Sequence, residues 1–466
     1  MSKTIIIIGA GLAGLSAALQ AAENGCNVKL VSSLPSERAQ SVMAEGGINA
    51  ALNTKDENDS PEEHFTDTIK AACGLADPNA VWGMTQAAPE LVHWLLKLGV
   101  KFNMSGYDDV DLRNFGGQKK KRTAFAQSDT GKQIMTAMID AVRRKEASGM
   151  VERFSHHSFL TLRLCGNICC GCVIRDEYSQ ETVELPGDAV IVATGGMHGL
   201  FGNTTGSLSN TGEVTAELFW LGVPLANGEM IQYHPTTVKC GGKRMLISEA
   251  ARGEGGRLFA MKDGKQWYFM EEKYPELGNL MPRDITAREI WKVSHESEVF
   301  LDMTEISEEI ISNKLSGLAD DCMTYLHKDI RKEPVSVLPG IHYFMGGILV
   351  DEQHRTPIQN LYAAGECCAQ YHGANRLGGN SLLGALYGGR VAAKSACEQA
   401  DVVDLSCATQ IDFPPASQIS EIKQLNKVMQ ETMGVVRNEN TLLNGIQTVQ
   451  ALTGNLPLLG MAVLKS

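Results

Sequence analysis

Five basic side chains stand in glycine- or proline-punctuated segments: His234 in His-Pro-Thr, Arg252 in Arg-Gly-Glu-Gly-Gly, Arg283 in Pro-Arg-Asp, His342 in His-Tyr, and Arg376. Any one of them alone reads as structural. Together, in a chain of net charge -12, they form a local cationic set suited to a small dianion held at both ends, because a guanidinium fork matches a carboxylate. Arg376 lies in His372-Gly-Ala-Asn-Arg-Leu-Gly-Gly-Asn-Ser-Leu-Leu383. There Gly378 and Gly379 let the backbone approach a flat ligand, and Asn380-Ser381 open a helix whose N–H groups favour negative charge.

These residues need a scaffold, and the N-terminus supplies its first part. Thr4–Ile8 reads as a buried strand, Gly9-Ala-Gly11-Leu-Ala-Gly14 as a tight turn, Leu15–Asn24 as a helix and Cys26–Val31 as the next strand. GxGxxG in that βαβ setting points to an ADP moiety. The second strand ends in Ser32-Ser33, not in the acidic residue expected to hold an NAD ribose. Two further strand–glycine punctuations follow, Ala189–Thr194 with Gly195-Gly196, and Asn360–Ala364 with Gly365-Glu366.

Long insertions between these punctuations predict an α/β protein: a Rossmann-like FAD-binding domain over residues 1–231 and 341–410, interrupted by an α+β capping domain over 232–340. A short C-terminal helical region over 411–466 is expected to hold amphipathic helices at Ile419–Thr432 and Asn440–Leu452. A reduced flavin gathers negative charge at its pyrimidine edge, which fits the helix start at Asn380.

The acidic balance argues against nucleic acid as a partner. Ile5–Ile8 is too short an apolar run to target or span a membrane, so a cytoplasmic protein with reduced thiols is expected. Cys169-Cys170-Gly-Cys172 lies in a strand-like run with no second cluster to complete a metal set, so no metal is expected. Lys119–Arg122 is either a solvated loop or a local attractor for an anion.

GAGLAG, AEGGINAA, FGGQ, ATGG, QYHPT, SEAARGEGG, MPRD, IHYFMGG, YAAGE and HGANRLGGNSLL occur in this order from Ile5 to Ala393. The chain thereby resembles the flavoprotein subunits of fumarate reductase and succinate dehydrogenase, a family that includes L-aspartate oxidase. The resemblance implies FAD and a C4 dicarboxylate substrate. It implies His234 and Ser248 on one carboxylate, and His342 and Arg376 on the other. Hydride would pass between flavin N5 and the alkene, with Arg283 as proton donor and Glu249 and Arg252 as its relay. Gly9, Gly11, Gly14, Ser32, Gly46, Gly47, Thr194, Gly195, Glu213, Glu366, Asn380, Ser381 and Leu382 are expected at the cofactor. The implied partner is an electron-donor protein, with an iron–sulfur subunit as the candidate, through which the chain would sit peripherally on the inner membrane face.

Three departures sharpen this reading. Gln40 stands where membrane-bound members have the histidine bonded to FAD, so a noncovalent FAD is expected. Phe115 stands where aspartate oxidases place a glutamate for the substrate ammonium; an apolar ring leaves that charge unpaired, which favours a dicarboxylate. Glu213 replaces the family's aspartate, and the chain ends at Ser466, short of the family's long helical domain and tail.

Overall fold

The computed structural model describes residues 2–400 and 419–466; the expected domain boundary at 410/411 lies outside them. The N-terminal apolar run forms β1 (Thr4–Ile8), followed by α1 (Leu12–Glu23) and β2 (Asn27–Ser32). The helix starts three residues earlier than expected, because Gly14 lies in its first turn and not before it. A Cβ on Gly14 would sit 1.8 Å from the Gly9 carbonyl oxygen, so only glycine permits that close turn.

A five-stranded sheet carries this half, in the order Leu361–Ala363, Ala189–Val192, β1, β2, Val151–Ser155. Every pairing is parallel. Ile5, Ile6 and Ile7 are fully buried, as expected for strands covered on both faces. The helix Asn380–Gln399 packs along α1, so its N-terminal end lies beside the glycine turn.

A second framework is the antiparallel sheet Lys243–Leu246, Ile231–Cys240, Leu338–Phe344. Register shifts interrupt its central pairing between Gln232 and Tyr233 and between His234 and Thr237. Beyond it, a four-stranded antiparallel sheet built on Arg257–Lys262 and Val299–Asp302 encloses its own apolar core, which includes Ile247, Leu258, Ile290 and Val335.

The C-terminal helices Ile419–Thr432 and Glu439–Gln450 are joined by a third, Asn455–Lys465. Pro457 and Gly460 obscure that third helix in the sequence, yet a proline is tolerated in a first turn. Leu456, Leu459 and Val463 bury against Leu425 and Met429.

One expectation is corrected in part. Arg122 is neither solvated nor an attractor: its guanidinium is fully buried and paired with Asp59 and Asp67, each at 2.9 Å. Lys119 and Lys121 of the same run are exposed, and Lys120 lies 3.7 Å from Glu63. Among the described residues no helix is long and apolar enough to cross a membrane.

Candidate active site

One cleft of about 1030 Å³ runs from the glycine turn of the parallel sheet to the antiparallel sheet beneath the cap. Gly9, Gly11, Ser32, Thr194 and Gly195 line its first end. Gly9 has φ +111°, and a Cβ there would lie 2.3 Å from the Ala193 carbonyl oxygen, so the turn requires glycine. Ser32 closes β2 with its Oγ buried and lacking a protein partner. A buried hydroxyl needs a hydrogen bond, and a ribose hydroxyl at the end of the second strand would supply it. The residues therefore fit the ADP half of FAD.

Gly46, Gly47, Glu366, Ser381 and Leu382 line the middle, and the exposed Glu213 lies on the rim at the start of a helix. Gln40 is also on the wall. Its Oε1 accepts from the Ser207 amide at 2.9 Å and from Asn210 at 3.1 Å, while its Nε2 is 3.0 Å from His198 Nε2. A carboxamide offers no nucleophile for a covalent bond to a flavin.

Asn380 departs from its expected place. Its side chain is fully buried and turned from the cleft: Oδ1 accepts from Asn49 at 2.8 Å and lies 2.9 Å from His64 Nε2, and Nδ2 donates to Thr68 at 3.0 Å. Gly379 before it has φ +87°, and a Cβ would meet Asn49 Oδ1 at 2.1 Å. This network fixes where the helix begins. Gly14, inside α1, does not line the cleft either.

At the far end the five basic residues converge, brought from five separate stretches of sequence. His234, on the strand Ile231–Cys240, is buried with Nδ1 3.1 Å from the Thr236 carbonyl and Nε2 without a partner. His342, on Leu338–Phe344, has its ring centroid 5.1 Å away. The register shifts bring both rings into the cleft. Burial first, then neighbouring positive charge, holds both imidazoles well below their ordinary pKa.

Arg376 is buried and lies over the Tyr343 ring at 4.2 Å, with its Nε unpartnered. Burial, followed by the charge of Arg283, pushes it down to about 9.

Arg283 opens the helix Arg283–Val293. Its Nε and Nη2 donate to Glu249 Oε2 at 2.8 and 2.6 Å, and its Nη1 donates to Gln232 Oε1 at 3.0 Å. Of a guanidinium's five N–H donors, the two not engaged are left at the cleft wall. Glu249 Oε1 accepts from the Gly116 amide at 3.0 Å and faces Arg252 at 3.3 Å. Burial alone would raise the Glu249 pKa, but Arg283 and Arg252 together hold it below its ordinary value.

Arg252 lies behind Glu249, off the cleft, with Nη1 on the Asn279 carbonyl at 2.6 Å. Three guanidiniums against one carboxylate leave two net positive charges, the complement of a dianion. Ser248, the N-cap of the helix Glu249–Gly253, and Phe115 complete the walls. Phe115 is almost fully buried, its ring close enough that a Cβ on Gly46 or Gly378 would collide with it.

Gln232 is the contributor that motif reading missed. It joins both ends of the clamp, donating to Asn375 Oδ1 at 2.9 Å and to the Arg376 carbonyl at 2.7 Å while accepting from Arg283. Its position two residues before His234 on a strand was the available signal, since i and i+2 share a face.

The FAD binding domain family matches residues 4–382. A succinate dehydrogenase flavoprotein subunit of Bacillus subtilis is 40% identical over 97% of this chain and 78% of its own length. An L-aspartate oxidase of Streptomyces coelicolor is 32% identical over 97% and 80%. The solved structure of E. coli quinol fumarate reductase superposes with TM-score 0.88 at 27% identity, covering 100% of this chain and 86% of that one. With the glycine-turn cleft and the convergent cations already in place, these matches establish that the chain belongs to the FAD-binding flavoprotein family of succinate dehydrogenase and fumarate reductase.

Proposed function

We propose that the protein is an FAD-dependent oxidoreductase acting on the CH–CH bond of a C4 dicarboxylate, of the fumarate reductase/succinate dehydrogenase type. The observation that carries this reading is the pairing of two buried histidines and Arg376 with Arg283 and Glu249 in one cleft, backed by Arg252 behind them. Bound FAD supplies the hydride chemistry. His234 and Ser248 hold one carboxylate; His342 and Arg376 hold the other. Clamping both ends twists one carboxylate out of conjugation and makes the alkene more electrophilic. Arg283 presents its unengaged N–H to the carbon that takes up a proton, and Glu249 and Arg252 restore that proton. Burial holds the relay guanidinium of Arg252 below its ordinary range.

Gln40 supports a noncovalent FAD, which acid precipitation would release into the supernatant. An electron-donor protein, with an iron–sulfur subunit as the candidate, is the proposed partner, attaching the chain peripherally to a membrane complex.

L-aspartate oxidation is the second reading, kept because a relative of that name matches so much of the chain. The buried ring of Phe115 weighs against it, since a substrate ammonium there would be unpaired. Anaerobic turnover of fumarate by the holoenzyme with reduced viologen, beside aspartate oxidation followed by peroxide, separates the two. Arg283→Lys should abolish fumarate reduction; a lysine variant as active as wild type would remove Arg283 from its role.

A further inference from the structure

The clamp has a donor problem. A carboxylate only accepts hydrogen bonds, so each histidine must present an N–H, not a lone pair, to the cleft. His342 Nδ1 lies 2.8 Å from Thr205 Oγ1, and that hydroxyl is 3.4 Å from the Ile341 carbonyl. Two arrangements are open. If Thr205 donates to Ile341 and accepts from Nδ1–H, then Nε2 offers a bare lone pair to the cleft. If the hydroxyl turns and donates to Nδ1, the proton sits on Nε2 and faces the substrate. The turn costs little, because the contact given up is long and the Ile341 carbonyl keeps the Thr205 backbone N–H at 3.0 Å.

The alternative source of an N–H is a doubly protonated ring. The groups that face His342 oppose it: His234 from the neighbouring strand, Arg283 from its helix, Arg376 from its loop, and His198 beyond Thr204. For His234 both neighbours of Nδ1 are backbone groups, the Thr236 carbonyl at 3.1 Å and the Thr236 N–H at 3.3 Å. At His342 the neighbour is a side-chain hydroxyl, and so it can be changed.

We propose that Thr205 is a positioning residue that sets the tautomer of His342, making it a neutral Nε2–H donor to the substrate carboxylate. The proposal rests on the dicarboxylate reading. A hydroxyl that rotates lets the dianion bind without taking up a proton, so affinity stays level across neutral pH. Thr205 is buried and its methyl packs in either arrangement, so valine preserves shape and removes only the donor.

The test compares wild type, Thr205→Val and Thr205→Ser as FAD-loaded enzymes. Thr205→Val should raise KM for fumarate roughly tenfold at pH 8, the loss of one charged hydrogen bond. kcat should change little, and Thr205→Ser should follow wild type. Calorimetry of fumarate binding to the oxidised holoenzyme, in two buffers of different ionisation heat, should show no proton uptake in wild type, because the ring that meets the dianion is already a neutral donor. Proton uptake by wild type, a valine variant equal to wild type at pH 8, or a serine variant as impaired as valine would each overturn the proposal. Wild type that neither binds nor reduces fumarate would overturn the parent reading, a result distinct from all three.

Discussion

Replacing Gln232 with methionine tests the clamp at the residue that joins its two ends. Methionine keeps nearly the same length and volume, so packing is retained while three hydrogen bonds are lost: Arg283 Nη1 at 3.0 Å, Asn375 at 2.9 Å and the Arg376 carbonyl at 2.7 Å. The bond from a charged guanidinium contributes about 1.5–3 kcal/mol, which corresponds to roughly 10- to 100-fold in rate. Arg283 keeps both bonds to Glu249, so the lower half of that range is expected for kcat. KM should rise as well, because Arg376 loses the anchor on its own carbonyl. Anaerobic fumarate reduction with reduced viologen reads both constants, and the flavin absorbance of the purified variant confirms that the cofactor half is intact. A variant that binds flavin and retains kcat within about twofold of wild type would show that Gln232 does not hold the proton donor, and the geometric argument would fail.

Two further outcomes follow from buried charge. Burial, with help from Asp321 and Asp129, pushes Glu45 from its ordinary 4.5 up to about 8, and its carboxyl faces Ser248 in the cleft. Because the folded-state pKa is raised, the native state holds a proton that the unfolded chain has released; stability from this group is full below about pH 4.5 and is lost as pH rises toward 8. Glu45→Gln should therefore flatten the fall in urea-measured stability across that window, and should abolish a rise in KM above pH 8. Arg122→Met strands Asp59 and Asp67 in the interior and should lower unfolding free energy by about 3–5 kcal/mol, read by denaturant titration; a smaller loss than about 1 kcal/mol would contradict the buried triad.

The order of motifs already carried the fold class and most of the site, because the backbone demands behind them are local. Gly9 and Gly379 take positive φ, and Gly14 closes on the Gly9 carbonyl; such local constraints are visible in a string of letters. The five basic residues were legible as a set for the same reason, each lying in its own short punctuated segment. What the sequence could not reveal is which partner each polar group faces, since that depends on residues far apart in the chain, from 51 positions for Gln232 and Arg283 to 331 for Asn49 and Asn380. Arg122 read as part of a solvated charge run, but two aspartates from an earlier helix and loop bury it. Asn380 read as a cofactor contact, yet Asn49, His64 and Thr68 turn it inward. Gln232 carried no motif meaning until Arg283 and Arg376 met it from opposite directions. Local sterics are written in sequence; the pairing of buried hydrogen-bonding groups is decided only when the sheets and helices close on one another and water is excluded.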